Sequence, residues 1–227
     1  GILLVNNTTG SGTGSGAVAA TGGILGGSGT IAGDTTISAT GLLTPGTSGT
    51  ADTLTFDGSL SLAAAGSATT RAILDVSAAT GNELIYALTN GETWWSSYTG
   101  PLLTGNGGMG KDLVKLTGLS GTPILNFGTN SQVAFNVATP VTWQYGDVLN
   151  LFDWSNLVTV TGTTFSPGSH LDLNGLGTLD AGLTWDTSRF LTTGAIAITP
   201  EPGRVLLLLL GFLGLAFRRR RTTAFRG

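Results

Sequence analysis

Residues 1–75 alternate short apolar stretches with glycine-rich turns: ILLVNN, GAVAATGG, ILGGSGTIAG, DTTISATG, GLLTPGTSG, DTLTFDG and SLSLAAAG. Many of the stretches show period two. Ile, Leu and Val alternate with Thr, Ser or Asp, the pattern of a half-buried strand. Gly or Asn stands at nearly every turn. Nothing before Val205 carries a long stripe of period 3.6, so no long helix is predicted there. Strands this short cannot bury a core singly. Stacked as rungs of a parallel β-helix they line a continuous apolar column, with glycines at the tight corners. A rung spacing of about 18–22 residues can be traced, without a fixed register. Low-complexity disorder is the competing reading. The regular return of β-branched residues and Leu argues against it, because a linker lacks that apolar repeat.

Residues 76–199 follow a different pattern. Aromatic residues appear: Tyr86, Trp94, Trp95, Tyr98, Phe127, Phe135, Trp143, Tyr145, Phe152, Trp154 and Trp185. Candidate strands are ELIYAL, DLVKLTG, PILNFG, QVAFNVA, VTWQY, DVLNLFDW, LVTVTG and GAIAITP, separated by Pro and Gly. They predict wider antiparallel strands that close the solenoid end, because the last rung of a solenoid otherwise exposes unpaired edge groups. Nothing marks a long linker between the two parts. The fold class predicted is all-β: a parallel β-helix over 1–75, an antiparallel β cap over 76–199, and one short hydrophobic helix in a tail over 200–227.

That tail is TPEPGRVLLLLLGFLGLAFRRRR, Thr199 to Arg221. Its uncharged run is Val205, Leu206, Leu207, Leu208, Leu209, Leu210, Gly211, Phe212, Leu213, Gly214, Leu215, Ala216 and Phe217. A helix of that length spans ~20 Å. A hydrocarbon core is ~30 Å thick. The run is therefore short for a permanent span, although Arg204 and Arg218 can snorkel to the interfaces. A buried core helix is the other reading. Against it, the run has no polar face, and Arg218, Arg219, Arg220 and Arg221 have no acidic neighbour in sequence. Four adjacent arginines favour water or anionic headgroups. The positive-inside rule then puts them in the cytoplasm and everything before Pro200 outside.

Charge and cysteine content fit an exterior address. Residues 1–199 hold four cations (Arg71, Lys111, Lys115, Arg189) and twelve acids, a net of −8. That argues against a nucleic-acid partner, which calls for clustered Lys and Arg. There is no cysteine, as in an exported bacterial protein that does not rely on disulfides. The sequence opens on GILLVNNTTG, without Met or a charged-plus-apolar leader. Export needs such a leader, so the sequence is expected to be part of a longer precursor.

Pro200-Glu201-Pro202, then an apolar helix, then an arginine cluster resembles the PEP-CTERM sorting signal of Gram-negative bacteria. The resemblance covers the tail over 200–227. It implies recognition by an exosortase, a membrane-embedded cysteine transpeptidase or protease, with cleavage near the Pro-Glu-Pro motif. It also implies a transient inner-membrane anchor, which suits the short run, and an association with exopolysaccharide and biofilm. DLNGLGTLDAGLTWDTSRFLTTGAIAI resembles the segment often found just before the motif in such proteins. A second resemblance lies in GSGTGSGAVAATGGILGGSGTIAG and GLLTPGTSGTADTLTFDGSLSL, which look like autotransporter-associated β-strand repeats over about Gly1 to Leu62. It implies a right-handed β-solenoid. The translocating barrel of a true autotransporter is missing, and the sorting tail stands in its place.

Catalytic signatures are weak. GNGGMGKD, Gly105 to Asp112, approaches the phosphate-loop pattern, but Asp112 replaces the Mg²⁺-binding hydroxyl and would repel phosphate. The flanking DLVKLTG reads as strand, so no helix N-terminus cradles an anion. His170 is the sole histidine, which excludes a multi-histidine zinc site. Asp172 shares its face if the segment is a strand, but no nucleophile elbow occurs. A solvated His170, near-neutral to substitution, is expected. Asp147, Asp153, Asp172, Asp180 and Asp186 sit beside Gly, Asn, Ser or Thr, as turn and cap residues do, without a calcium-loop spacing. Trp94-Trp95 with Tyr98 would make a sugar platform only if one Trp faces out; core packing is the plainer role. The same holds for Trp154 and Trp185.

The reading is a non-enzymatic, exported cell-surface or matrix protein without a cofactor or metal, acting as scaffold or adhesin. Its partners are an exosortase, the inner membrane before processing, and exopolysaccharide as a candidate ligand. The alternative is a β-helix polysaccharide lyase or hydrolase, or a carbohydrate-binding protein, with its active rungs upstream.

Overall fold

The computed structural model describes residues 1–47, 52–67, 69–78, 109–117, 124–137, 141–143, 145–153, 159–162 and 166–201. Among them the chain is mostly β, and no helix is long. The strands of the N-terminal part are β1 (Ile2–Leu4), β2 (Val18–Gly27), β3 (Thr30–Ile31), β4 (Thr35–Pro45), β5 (Thr53–Phe56), β6 (Leu60–Leu62) and β7 (Thr69–Ala78). Then come β8 (Met109–Lys111), β9 (Leu113–Leu116), β10 (Ile124–Phe127), β11 (Ser131–Val137), β12 (Val148–Asn150), β13 (Phe152–Asp153) and β14 (Thr159–Gly162). The last are β15 (Leu171–Asp172), β16 (Leu183–Asp186) and β17 (Ala195–Pro200). Single helical turns occupy Pro167–His170, Leu173–Leu176 and Phe190–Thr193.

Two sheets carry the parallel pairing. The larger has the path β14-β10-β6-β4-β7-β11-β15, with β2 beside β4, β1 beside β2 and β8 beside β7. The smaller runs β13-β9-β5-β3. Among the strand pairs described in these two, only β7–β8 is antiparallel. Parallel neighbours place like on like. Ile37, Leu62 and Phe127 stack in one buried column, and Leu25, Leu43, Ala72, Val133 and Leu171 in a second. The smaller sheet adds Ile31–Phe56–Leu116 and Leu54–Val114–Phe152. Alternate residues face out. Asn126 Nδ2 donates to Ser61 Oγ at 3.0 Å along the outer face.

The period-two reading of the strands thus holds, and their partners are distant in sequence. The predicted step of about 18–22 residues describes only the beginning. Ile2 pairs Ile24 and Ile24 pairs Leu42, both within that step. Later Leu60 pairs Leu125 and Ala72 pairs Val133, far beyond it. Residues 79–108 intervene in sequence between β7 and β8, which pair directly, with Val76 opposite Lys111.

The expectation for 76–199 needs correction. The boundary between 75 and 76 falls inside β7, and β9, β10, β11, β13, β14 and β15 continue the parallel sheets. Among the described strands, antiparallel pairing is confined to β8 and to a three-stranded sheet, β12-β17-β16. In that sheet β17 is central, and Ala195, Ile196, Ala197 and Ile198 are all buried. Aromatic character marks depth rather than strand direction. Phe127, Phe152 and Phe190 meet edge-on or tilted, with ring centroids 5.6–6.1 Å apart.

Close backbone approach explains one of the many glycines. A Cβ at Gly41, beside the bend of β4, would lie 2.0 Å from the Ala20 carbonyl oxygen. The same bend puts Ala39 at φ 50, a region that residues with a side chain seldom occupy. The Ala39 carbonyl accepts from Nη1 of the buried Arg71, whose Nε donates to Ala63 O at 3.2 Å.

Candidate functional site

The Pro-Glu-Pro triplet begins where the antiparallel sheet ends. Pro200 is the last residue of β17, opposite Leu183. Proline lacks a ladder donor, so it suits a strand terminus. Glu201 follows half-buried, its N–H donating to Gly182 O at 2.9 Å. The backbone is therefore extended up to Glu201 and tied to the body there. Pro202, the run Val205–Phe217 and Arg218–Arg221 lie outside the described residues, as do Tyr86, Trp94, Trp95, Tyr98 and Trp154. Among the described residues no helix is long and apolar enough to cross a membrane.

The histidine is not where the sequence put it. His170 closes the turn Pro167–His170 and is buried, not solvated. Its Nδ1 lies 3.1 Å from Ser166 N and 3.0 Å from Ser166 O, and its ring stands edge-on to Phe127 at 5.9 Å. Leu171 is buried directly after it, so both residues at this junction of turn and strand are drawn into the core. The ring serves packing.

The five candidate acids disperse. Asp172 caps the turn Leu173–Leu176, its Oδ1 accepting from Asn174 N at 3.2 Å and Asn174 Nδ2 at 2.8 Å. Asp186 accepts from Ser188 N at 2.8 Å. These two behave as turn residues. Asp147 and Asp153 are buried instead, and Asp180 is exposed. Among the described residues no group of three or more His, Cys, Asp or Glu could hold a metal ion.

A cluster missed by the sequence reading forms where the two parallel sheets meet. Asp112 is fully buried between β8 and β9. Its Oδ1 accepts from Asp52 N and its Oδ2 from Asp75 N, each at 2.9 Å. Leu113 N donates back to Asp52 O. Asp75, itself buried, accepts from Asn136 Nδ2 at 2.6 Å. Burial pushes the Asp112 carboxyl up to about 7, and the charges of Asp75 and Asp52 push the same way; the two backbone donors pull against them and lose. In the sequence, residue 112 stands out only as the defective end of a phosphate-loop pattern. Its partners, Asp52 and Asp75, are remote in sequence and carry no local signal.

Trp143 and Trp185 pack edge-to-face, 5.0 Å between centroids. Trp143 is buried and donates Nε1–H to Leu176 O at 2.6 Å, which fixes the helical turn Leu173–Leu176 against β16. Trp185 is half-buried, so its core role is only partial.

Comparison with protein-family models, with curated proteins and with solved structures finds no match for this chain.

Proposed function

We propose that this chain is an exported, non-enzymatic surface or matrix protein. Its body is a right-handed parallel β-solenoid capped by the β12-β17-β16 sheet, and its C-terminal tail is read by an exosortase. The observation that carries the solenoid is the stacking of like positions through successive parallel strands, Leu25–Leu43–Ala72–Val133–Leu171 above all. A stack of that kind arises when a chain returns to the same column after each circuit. Right-handed return is the rule for parallel crossovers. The antiparallel sheet draws on the C-terminal strands β16 and β17, where a cap is needed to cover unpaired rung edges.

The body suits display rather than turnover. Three of its buried polar side chains are committed to the fold: Asp112 to two backbone amides, Arg71 to two carbonyls, His170 to Ser166 and Phe127. The sorting reading is supported by the sequence pattern from Pro200 to Arg221 and by the extended backbone that leads into it. The test is to follow a precursor, tagged at both ends, in a bacterial host that has an exosortase. The mature surface form should lack the C-terminal tag and residues 203–227. A mature form that keeps them identifies a permanent anchor and removes the sorting reading.

A further inference from the structure

Between the edge strand β15 of the large parallel sheet and the antiparallel sheet lies a cleft of about 440 Å³. That is within the range of small-molecule sites. Trp185, Gln132, Asp172, Asn174, Thr187 and Pro167 line it. We infer that this cleft binds a neutral hexopyranose unit of a polysaccharide.

The chemistry follows from the lining. A pyranose offers a face of C–H groups and a belt of hydroxyls. An indole supplies a rigid apolar surface. Carboxylate and carboxamide groups supply acceptors and paired donors for vicinal hydroxyls. Asp172 Oδ1 is already held by Asn174 N and Nδ2. This orients both side chains before any ligand arrives. Trp143 ties Trp185 to the turn that carries Asn174, since it packs on Trp185 and hydrogen-bonds Leu176. A preformed site loses less entropy on binding. The carboxylate of Asp172 and the net charge of −8 over residues 1–199 disfavour uronic acids and other anionic sugars.

The inference rests on the surface-protein reading only for where a polysaccharide would be met. Isothermal titration of the full chain with maltotetraose, cellotetraose and N,N′,N″-triacetylchitotriose tests it, with tetragalacturonate as the anionic counterpart. At least one neutral probe should saturate the protein, and the anionic probe should bind roughly tenfold more weakly or worse. Trp185→Phe keeps an aromatic ring against Trp143 and shortens the indole surface; Asn174→Ala changes an exposed side chain. Each should raise Kd roughly tenfold at unchanged circular dichroism and Tm. Asp172→Asn should narrow the gap between neutral and anionic probes. Failure of every neutral probe, or wild-type affinity in both Trp185→Phe and Asn174→Ala, overturns the inference. A chain that binds sugar but is not exported overturns the surface reading and leaves the cleft standing. An exported chain whose cleft takes no sugar does the reverse.

Discussion

Asp112 and Asp75 hold each other by the backbone and by a side chain at once: Asp112 N donates to Asp75 O at 2.8 Å, and Asp75 N donates to Asp112 Oδ2 at 2.9 Å. The other carboxylate oxygen takes Asp52 N. One side chain thus joins β7 of the large sheet to the start of β5 in the small one. The join is strained electrically, because three acids share one corner.

Stability should therefore depend on pH through Asp112. Its folded pKa, about 7, lies above the ordinary 3.8. A raised carboxyl contributes stability that is complete below the unfolded value and is lost as pH rises through the folded one. Tm measured by scanning calorimetry should accordingly be higher at pH 5 than at pH 8, by several degrees. Asp112→Asn should flatten this dependence and lower Tm at pH 5, since its NH₂ would face one of the two amide donors. An unchanged slope in the variant assigns the titration elsewhere.

Arg71 should be intolerant of replacement. It is buried and donates to Ala39 O, at the φ 50 bend of β4, and to Ala63 O after β6. Arg71→Ala leaves two carbonyls without these donors, at a cost of about 2–4 kcal/mol. Urea unfolding should show the loss as a lower midpoint. Arg71→Lys should recover only part of it, since an ammonium lacks the fork that spans both carbonyls.

His170→Ala should destabilise the protein, contrary to what a solvated histidine would do. The variant removes a buried ring from Phe127 and a bond to Ser166. A loss of about 1–3 kcal/mol is expected, read as a fall in Tm. Phe190→Ala, which also removes a ring from Phe127, should cost more, about 3–5 kcal/mol. Equal Tm for His170→Ala and wild type would place the ring outside the core.

What the sequence made legible was the part that is local. Period two in DTLTF and SLSL is matched by the burial of Leu54, Phe56, Leu60 and Leu62, because alternation is a property of one strand. Pairing is not local. Leu60 meets Leu125, far along the chain, and no pattern within either strand announces that partner. The aromatic shift after residue 75 suggested antiparallel strands, yet Phe127 and Phe152 sit in parallel ones; bulk reports the width of the space to be filled, not the direction of the chain. His170 was misjudged because polar neighbours in PGSHLDL describe a turn, while its burial comes from Phe127, far away in sequence. Asp172 was legible as a cap. Its place in the cleft was not, since Trp185 and Gln132 reach it from other strands.

The sorting reading makes a separable prediction at Glu201. Its N–H bond to Gly182 is a backbone bond, so Glu201→Ala leaves that tether in place. Pro200 closes β17, and a proline on either side of Glu201 disfavours helix there. The extended segment is thus set by the prolines, and the carboxylate is the group the sorting reading assigns to recognition by an exosortase. Glu201→Ala should block maturation without blocking membrane insertion, since insertion depends on Val205–Phe217 and on the arginines that bias topology. Fractionation of an exosortase-bearing host should find the variant uncut in the membrane while wild type loses its tail. The full-length variant should also match wild type in circular dichroism, which separates a recognition defect from a folding one. Normal processing of Glu201→Ala would remove the carboxylate from the recognition element, and processing lost together with the β spectrum would assign Glu201 to the fold instead.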